Sequence, residues 1–81
     1  ELLSAGGIEI AMRPATRYAR IDEPILHADV ISLGQQEFET VLGVRLVGDD
    51  GAEVILSPDV GRRWTFGEHD RVIVLSQQIY R

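Results

Sequence analysis

Apolar and polar residues alternate from Ile8 to Arg13 (IEIAMR), with Ile8, Ile10 and Met12 on one side and Glu9, Ala11 and Arg13 on the other. A period of two residues predicts a strand with one buried face, here the side of Ile8, Ile10 and Met12. Proline cannot donate to a strand ladder, so Pro14 ends this strand or places it at a sheet edge. The stretch ATRYARID that follows has no period. It is expected to be an irregular connection anchored by Tyr18 and Ile21.

From Asp22 to Gly34 (DEPILHADVISLG) the pattern changes to that of a helix. Leu26, Val30 and Leu33 follow the i, i+4, i+7 spacing of one buried face. Pro24 suits a first helical position, where its missing N–H is not needed. Asp22 and Glu23 place negative charge at the positive end of the helix dipole, and Gly34 is a natural stop. The segment ETVLGVRLVGDDGAEVILS predicts a β-hairpin turning at Asp50-Gly51, because tight turns need a positive φ that glycine adopts freely. Gly43, inside the first arm, signals a bulge or a closely approaching neighbour. PDVGRRWTFGEHD is a loop with a short strand at Trp64–Phe66. RVIVLS is a last strand that is apolar on both faces, and so central or covered on both sides. The order strand, helix, strand, strand, short strand, strand predicts an α+β domain with one helix packed on a mostly antiparallel sheet.

With 81 residues the chain makes one domain. The opening ELLSAGG reads as the end of a preceding helix or a linker over residues 1–7, which makes the chain an excised or processed piece of something longer. Residues 78–81 read as a tail. A domain of this size buries only about 60% of the surface its unfolded chain exposes, which favours a partner surface or self-association. Ile25, Ile31, Ile73 and Leu75 are the apolar surplus expected to form it.

The net charge is −5, and every basic residue is arginine. An acidic domain repels phosphate backbones, so no nucleic-acid partner is expected. The chain has no cysteine, which excludes disulfides and thiolate metal sites and fits a reducing compartment. It has no run of about 18 apolar residues, so no direct membrane insertion is expected.

Four groups could carry chemistry. Glu68, His69 and Asp70 could bind a metal. Adjacent residues rarely converge on one ion, however, and a polar turn whose charges stay in water accounts for them. His27 and Asp29 are two apart and do not share a helix face, so an exposed helix start is expected there. Asp49 and Asp50, with Glu53 nearby, are weak candidates for loose calcium binding, but the twelve-residue calcium-loop spacing is absent. Arg62 and Arg63 after Gly61 are the candidate ligand contacts, toward a phosphate or a carboxylate, or toward the domain's own acidic surface. The chain has no nucleophile elbow, no P-loop and no dinucleotide fingerprint. No acid, base and nucleophile set can be assembled, so no enzymatic activity of its own and no cofactor are expected.

Three blocks in order, IEIAMRPATRY, FETVLGVRL and VILSPD…WTFGEHDRVIVLSQ, resemble the C-terminal lobe of RCK domains, also called TrkA-C. The resemblance is closer to the C-terminal regulatory segment of CASTOR/POLLUX-type ion channels and their bacterial relatives. That group is marked by an E-[I/L]-x-x-[R/K]-P strand, a G-x-R strand and a final GDxVIVL strand. The match covers about Ile8 to Gln77, with Ser57 in place of the usual asparagine before Pro58 and His69 in place of the usual glycine before Asp70. The resemblance implies a cytoplasmic regulatory lobe over residues 8–77 of a membrane-anchored channel or transporter for potassium or another cation. It implies a homodimer or ring with other copies and a small effector or ion as ligand. A small non-catalytic binding or adaptor domain of a protein unrelated to channels fits the same strand and helix pattern.

Overall fold

The computed structural model describes residues 3–5 and 8–77. Seven strands, β1 (Leu3–Ala5), β2 (Ile8–Pro14), β3 (Pro24–Leu26), β4 (Glu39–Gly48), β5 (Gly51–Leu56), β6 (Arg63–Thr65) and β7 (Arg71–Gln77), accompany one α-helix, α1 (His27–Gln36). Five strands form an antiparallel sheet in the order β1-β2-β7-β4-β5, and β3 pairs with β6 in a separate two-stranded ribbon. The fold is α+β, as the sequence predicts. β7, apolar on both faces, is the central strand.

The core lies on one face of the sheet. Val30 of α1 packs with Ala11, Val44, Val72 and Val74 of the sheet, with Trp64 of β6 and with Ala15, Tyr18 and Phe66 of the connections. Paired residues share a face, and successive residues alternate between faces. Ala11 pairs with Val74 and Val44 with Val72, so both pairs point toward the helix. This reverses the expected burial of β2. Ala11 is buried, whereas Met12 is 50% exposed on the opposite face. The helix, Tyr18 and Trp64 gather over Ala11 on the core side, where Arg13 also reaches the buried Glu39 carboxylate at 2.8 Å. Of the two expected anchors of the connection, Tyr18 is buried and Ile21 is exposed.

The helix starts later than its proline suggests. Pro24–Leu26 is extended and pairs with Arg63–Thr65. Asp22 precedes it with φ 64°, outside the helical region. The first helical N–H groups are satisfied by backbone: His27 donates to the Arg62 carbonyl at 2.8 Å and Ala28 to the Val60 carbonyl at 3.0 Å. Gly34 does not stop the helix either. A β-carbon there would lie 2.8 Å from Val41 Cγ2, so glycine is needed for close helix–sheet packing. The chain leaves the helix at Phe38, which has φ 59°.

The hairpin turns on Asp49 and Asp50, with Gly48 paired to Gly51, and the positive φ of 120° falls on Gly51. The expected feature at Gly43 is present: the β4–β7 register shifts between Val41 and Gly43. The short strand of the long loop lies at Arg63–Thr65. Leu3–Ala5, within the stretch expected to end a helix or form a linker, instead pairs with β2 as a strand. The tail 78–81 lies outside the described residues.

Candidate functional site

The acidic trio divides. Glu68 and His69 are exposed and lie 3.5 Å apart. Asp70 is buried, so its charge does not stay in water as expected. Its Oδ1 accepts from the Val47 N–H and its Oδ2 from the Gly67 N–H, each at 2.8 Å. One carboxylate therefore closes the turn into β7 and ties that turn to the hairpin. Each such bond contributes about 1 kcal/mol or more, so the pair makes the turn a firm link to the hairpin.

Asp70 also borders an open cleft of about 510 Å³ together with Asp49, Asp50, Glu53 and Thr65. Four carboxylates thus line one hollow, but two oxygens of Asp70 are already engaged. Among the described residues, no three His, Asp or Glu side chains come close enough to hold a metal ion.

His27 is buried rather than exposed, while Asp29 stays exposed. Its Nδ1 accepts from the Trp64 Nε1–H at 3.0 Å, and the two rings meet edge to face at 79°. Burial lowers its pKa from the ordinary 6.5, because the imidazolium loses its hydration. Protonating Nδ1 would also remove the acceptor of the Trp64 bond. The unfolded chain then takes up a proton below pH 6.5 before the folded one does, so stability is complete above 6.5 and falls as the pH drops toward the lowered value. The expected result is a melting temperature that falls between pH 7.5 and 5.5 in the natural chain and less steeply in His27→Gln. Equal slopes in the two proteins would refute this account.

Arg62 and Arg63 meet different surroundings. The Arg62 guanidinium lies over the Trp64 ring, 4.5 Å from its centroid. Arg63 borders a small hollow of about 170 Å³ with Pro24, Ile25, Leu26 and Asp29. Neither has a carboxylate within ion-pair distance among the described residues. The helix N-terminus beside them offers no free donor at His27 or Ala28, since the Arg62 and Val60 carbonyls occupy both. Of the four expected self-association residues, Ile73 is buried at 7% exposure, while Ile25, Ile31 and Leu75 are half-buried. Ile25 packs against the core.

Sequence reasoning missed Glu39. It is buried, and it accepts from Arg13 Nε at 2.8 Å and from the Tyr18 hydroxyl at 2.9 Å. Burial, followed by the Glu39 hydrogen bond and charge, pushes the Tyr18 phenol up to about 12. The Arg13-Pro14 pair belonged to a quoted motif, and that was the one available signal.

With this geometry in place, the chain can be set beside known proteins. The chain is 35% identical over 78 residues, 96% of its length, to the rice (Oryza sativa subsp. japonica) protein named "Probable ion channel CASTOR". It spans 9% of that protein's length. No family model matches the chain. The chain is thus related to a segment of an ion-channel protein. Among the described residues, no helix is long and apolar enough to cross a membrane.

Proposed function

We propose that this domain regulates a cation channel, with potassium the first ion to test, from the cytoplasmic side of a membrane-anchored parent. The observation that carries the reading is the extent of the similarity to the rice channel protein, which runs through 96% of the chain. It therefore includes the strands, the helix and the hairpin together. The domain has no catalytic role of its own in this reading. It works by contacts, in a dimer or ring with other copies. An effector or ion that binds one arrangement better than another shifts the population and biases the attached pore. Arg62 and Arg63 are the candidate effector contacts, and the carboxylates Asp49 and Asp50 are the candidate cation contacts.

The test is rubidium uptake by cells expressing the parent polypeptide with and without residues 8–77. The expected result is a parent with apolar spans whose flux changes on deletion. A parent without such spans, or an unchanged flux, would favour an adaptor domain unrelated to channels. Light scattering of the 81-residue chain with calcium and with cyclic dinucleotides then identifies the effector by a change in mass.

A further inference from the structure

The sheet has a second face, and among the described residues no element covers it. By the strand register this face carries Met12, Ile73, Leu75, Val54 and Leu56, together with Arg45 and Arg71. Four of the large exposed apolar residues lie here: Met12, Val47, Val54 and Leu56, between 40% and 62% exposed. None of the face's residues belongs to the core cluster.

Toward one end of this apolar surface, in the row next to Met12 and Ile73, Arg45 and Arg71 stand directly opposite each other on β4 and β7. Like charges in a direct cross-strand pair destabilise a sheet. Here nothing offsets the cost. Neither arginine has a carboxylate within ion-pair distance or a side-chain hydrogen bond among the described residues. The described positions of this face carry no Asp or Glu, although the chain has 13 acidic residues. The two arginines are those of the quoted G-x-R strand and of the x position in the last strand's motif, Asp70-Arg71-Val72-Ile73, and no other site accounts for them.

We infer that this face docks an acidic, apolar-rich surface of another protein segment, with carboxylates of the partner bridging Arg45 and Arg71 while its apolar side chains cover Ile73, Met12 and Val54. Charge complementarity selects this occupant. A second copy related by a two-fold axis would set the same carboxylate-free face, with its two arginines, against itself. The size sets the kind of contact: four strands about 4.8 Å apart and six residues long make a patch roughly 20 Å square, about half of one side of a standard interface, which suits a single docked segment. Guanidinium forks match carboxylates two bonds at a time, which gives the contact its register.

The experiment uses the isotope-labelled 81-residue chain and three synthetic amphipathic helical peptides, with magnetic-resonance shift mapping as the readout. One peptide carries leucine with glutamate, one leucine with lysine, one serine with glutamate. The leucine–glutamate peptide is expected to shift the Arg45 and Arg71 Nε–H signals and the Ile73 and Val54 amides. The double variant Arg45→Gln, Arg71→Gln should bind it about tenfold more weakly or worse. That variant should melt at the same temperature or higher, because a repulsive pair has been removed, so weaker binding cannot be laid to misfolding. Several outcomes overturn the inference: equal binding of the lysine peptide, equal binding of the serine peptide (a plain anion site), or shifts confined to other surfaces. Sedimentation with phosphatidylglycerol vesicles through the same arginines would make the face a membrane surface. A concentration-dependent dimer mapping to these residues in the chain alone would make the occupant a second copy.

Discussion

Gly43→Ala is expected to remove about 3 kcal/mol or more of folding stability and to lower the melting temperature by about 12 °C or more. The reason is steric. A β-carbon at position 43 would stand 2.1 Å from the Ile55 carbonyl oxygen and 3.0 Å from its carbon and from Leu56 Cα. These are backbone atoms of the neighbouring strand, so no side-chain rotation can relieve the overlap. Either β5 moves away or the bulge between Val41 and Gly43 rearranges, and the register that pairs Gly43 with Ile73 and Leu56 goes with it. A domain of this length has only about 4–12 kcal/mol of stability to lose. Gly61→Ala is the matched control. Nothing lies within 4 Å of its added carbon, and its backbone is not left-handed, so its effect should stay within about 0.5 kcal/mol. Thermal unfolding by circular dichroism checks both. Similar shifts in the two variants would refute the steric account.

Gly43 was legible in the sequence because its signal is local: a glycine inside an otherwise regular strand has few reasons to be there. The hairpin, the central apolar strand and the short strand near Trp64 were legible for the same reason. What failed depends on contacts distant in sequence. Ile8, Ile10 and Met12 are the more apolar side of β2, and periodicity alone assigns that side to the core. The structure leaves Met12 of that side exposed because the helix, Tyr18 and Trp64 all gather over Ala11. The helix start failed similarly. Pro24 is compatible with a first helical turn and with a short edge strand, and pairing with Arg63–Thr65, some forty residues on, decides between them. Asp70 resembled its exposed neighbours Glu68 and His69 because all three are polar. What sets it apart is its long-range donor, the Val47 N–H 23 residues back in the chain, beside the local Gly67 N–H.

These misread positions concern the candidate surfaces as much as the fold. The face that periodicity sends to the core is the one left open, and it holds the paired arginines. This face carries an apolar surface in which Ile73 is buried and Leu75 half-buried. It is spread over β2, β7 and β5, and its most exposed members are Met12, Val54 and Leu56. The substitution Ile73→Asp, in the middle of the sheet at 7% exposure, would disturb the fold as well as any interface. Substitutions at Arg45 and Arg71 separate the two effects, since both side chains are only half-buried.

Glu39→Ala is expected to cost about 2–3 kcal/mol, somewhat below the usual range for breaking a buried ion pair. The reduction follows from Arg13, whose side chain is 33% exposed and recovers part of its hydration, while Glu39 is 4% exposed. The Tyr18 hydroxyl has no such recourse. It is buried and loses its acceptor. Tyr18→Phe alone should cost about 1 kcal/mol, because it removes one hydrogen bond and leaves Glu39 paired to Arg13. The double variant should then cost less than the sum, since Glu39→Ala no longer strands a hydroxyl once Tyr18 is phenylalanine. The phenol gives an independent reading. Burial is the largest cause of its rise to about 12, with the Glu39 hydrogen bond and charge next. Ultraviolet titration of Glu39→Ala should therefore find the Tyr18 pKa lower than in the natural chain but still above 10. In the natural chain the same shift has a stability consequence. The unfolded phenol ionises from pH 10 upward while the folded one resists to about 12, so stability is complete below 10 and declines across that interval. Strict additivity of the two substitutions, with an unmoved phenol, would show that Glu39 serves Arg13 alone. Coupling would show that one carboxylate holds the first connection, through Tyr18, and β2, through Arg13, against the start of β4.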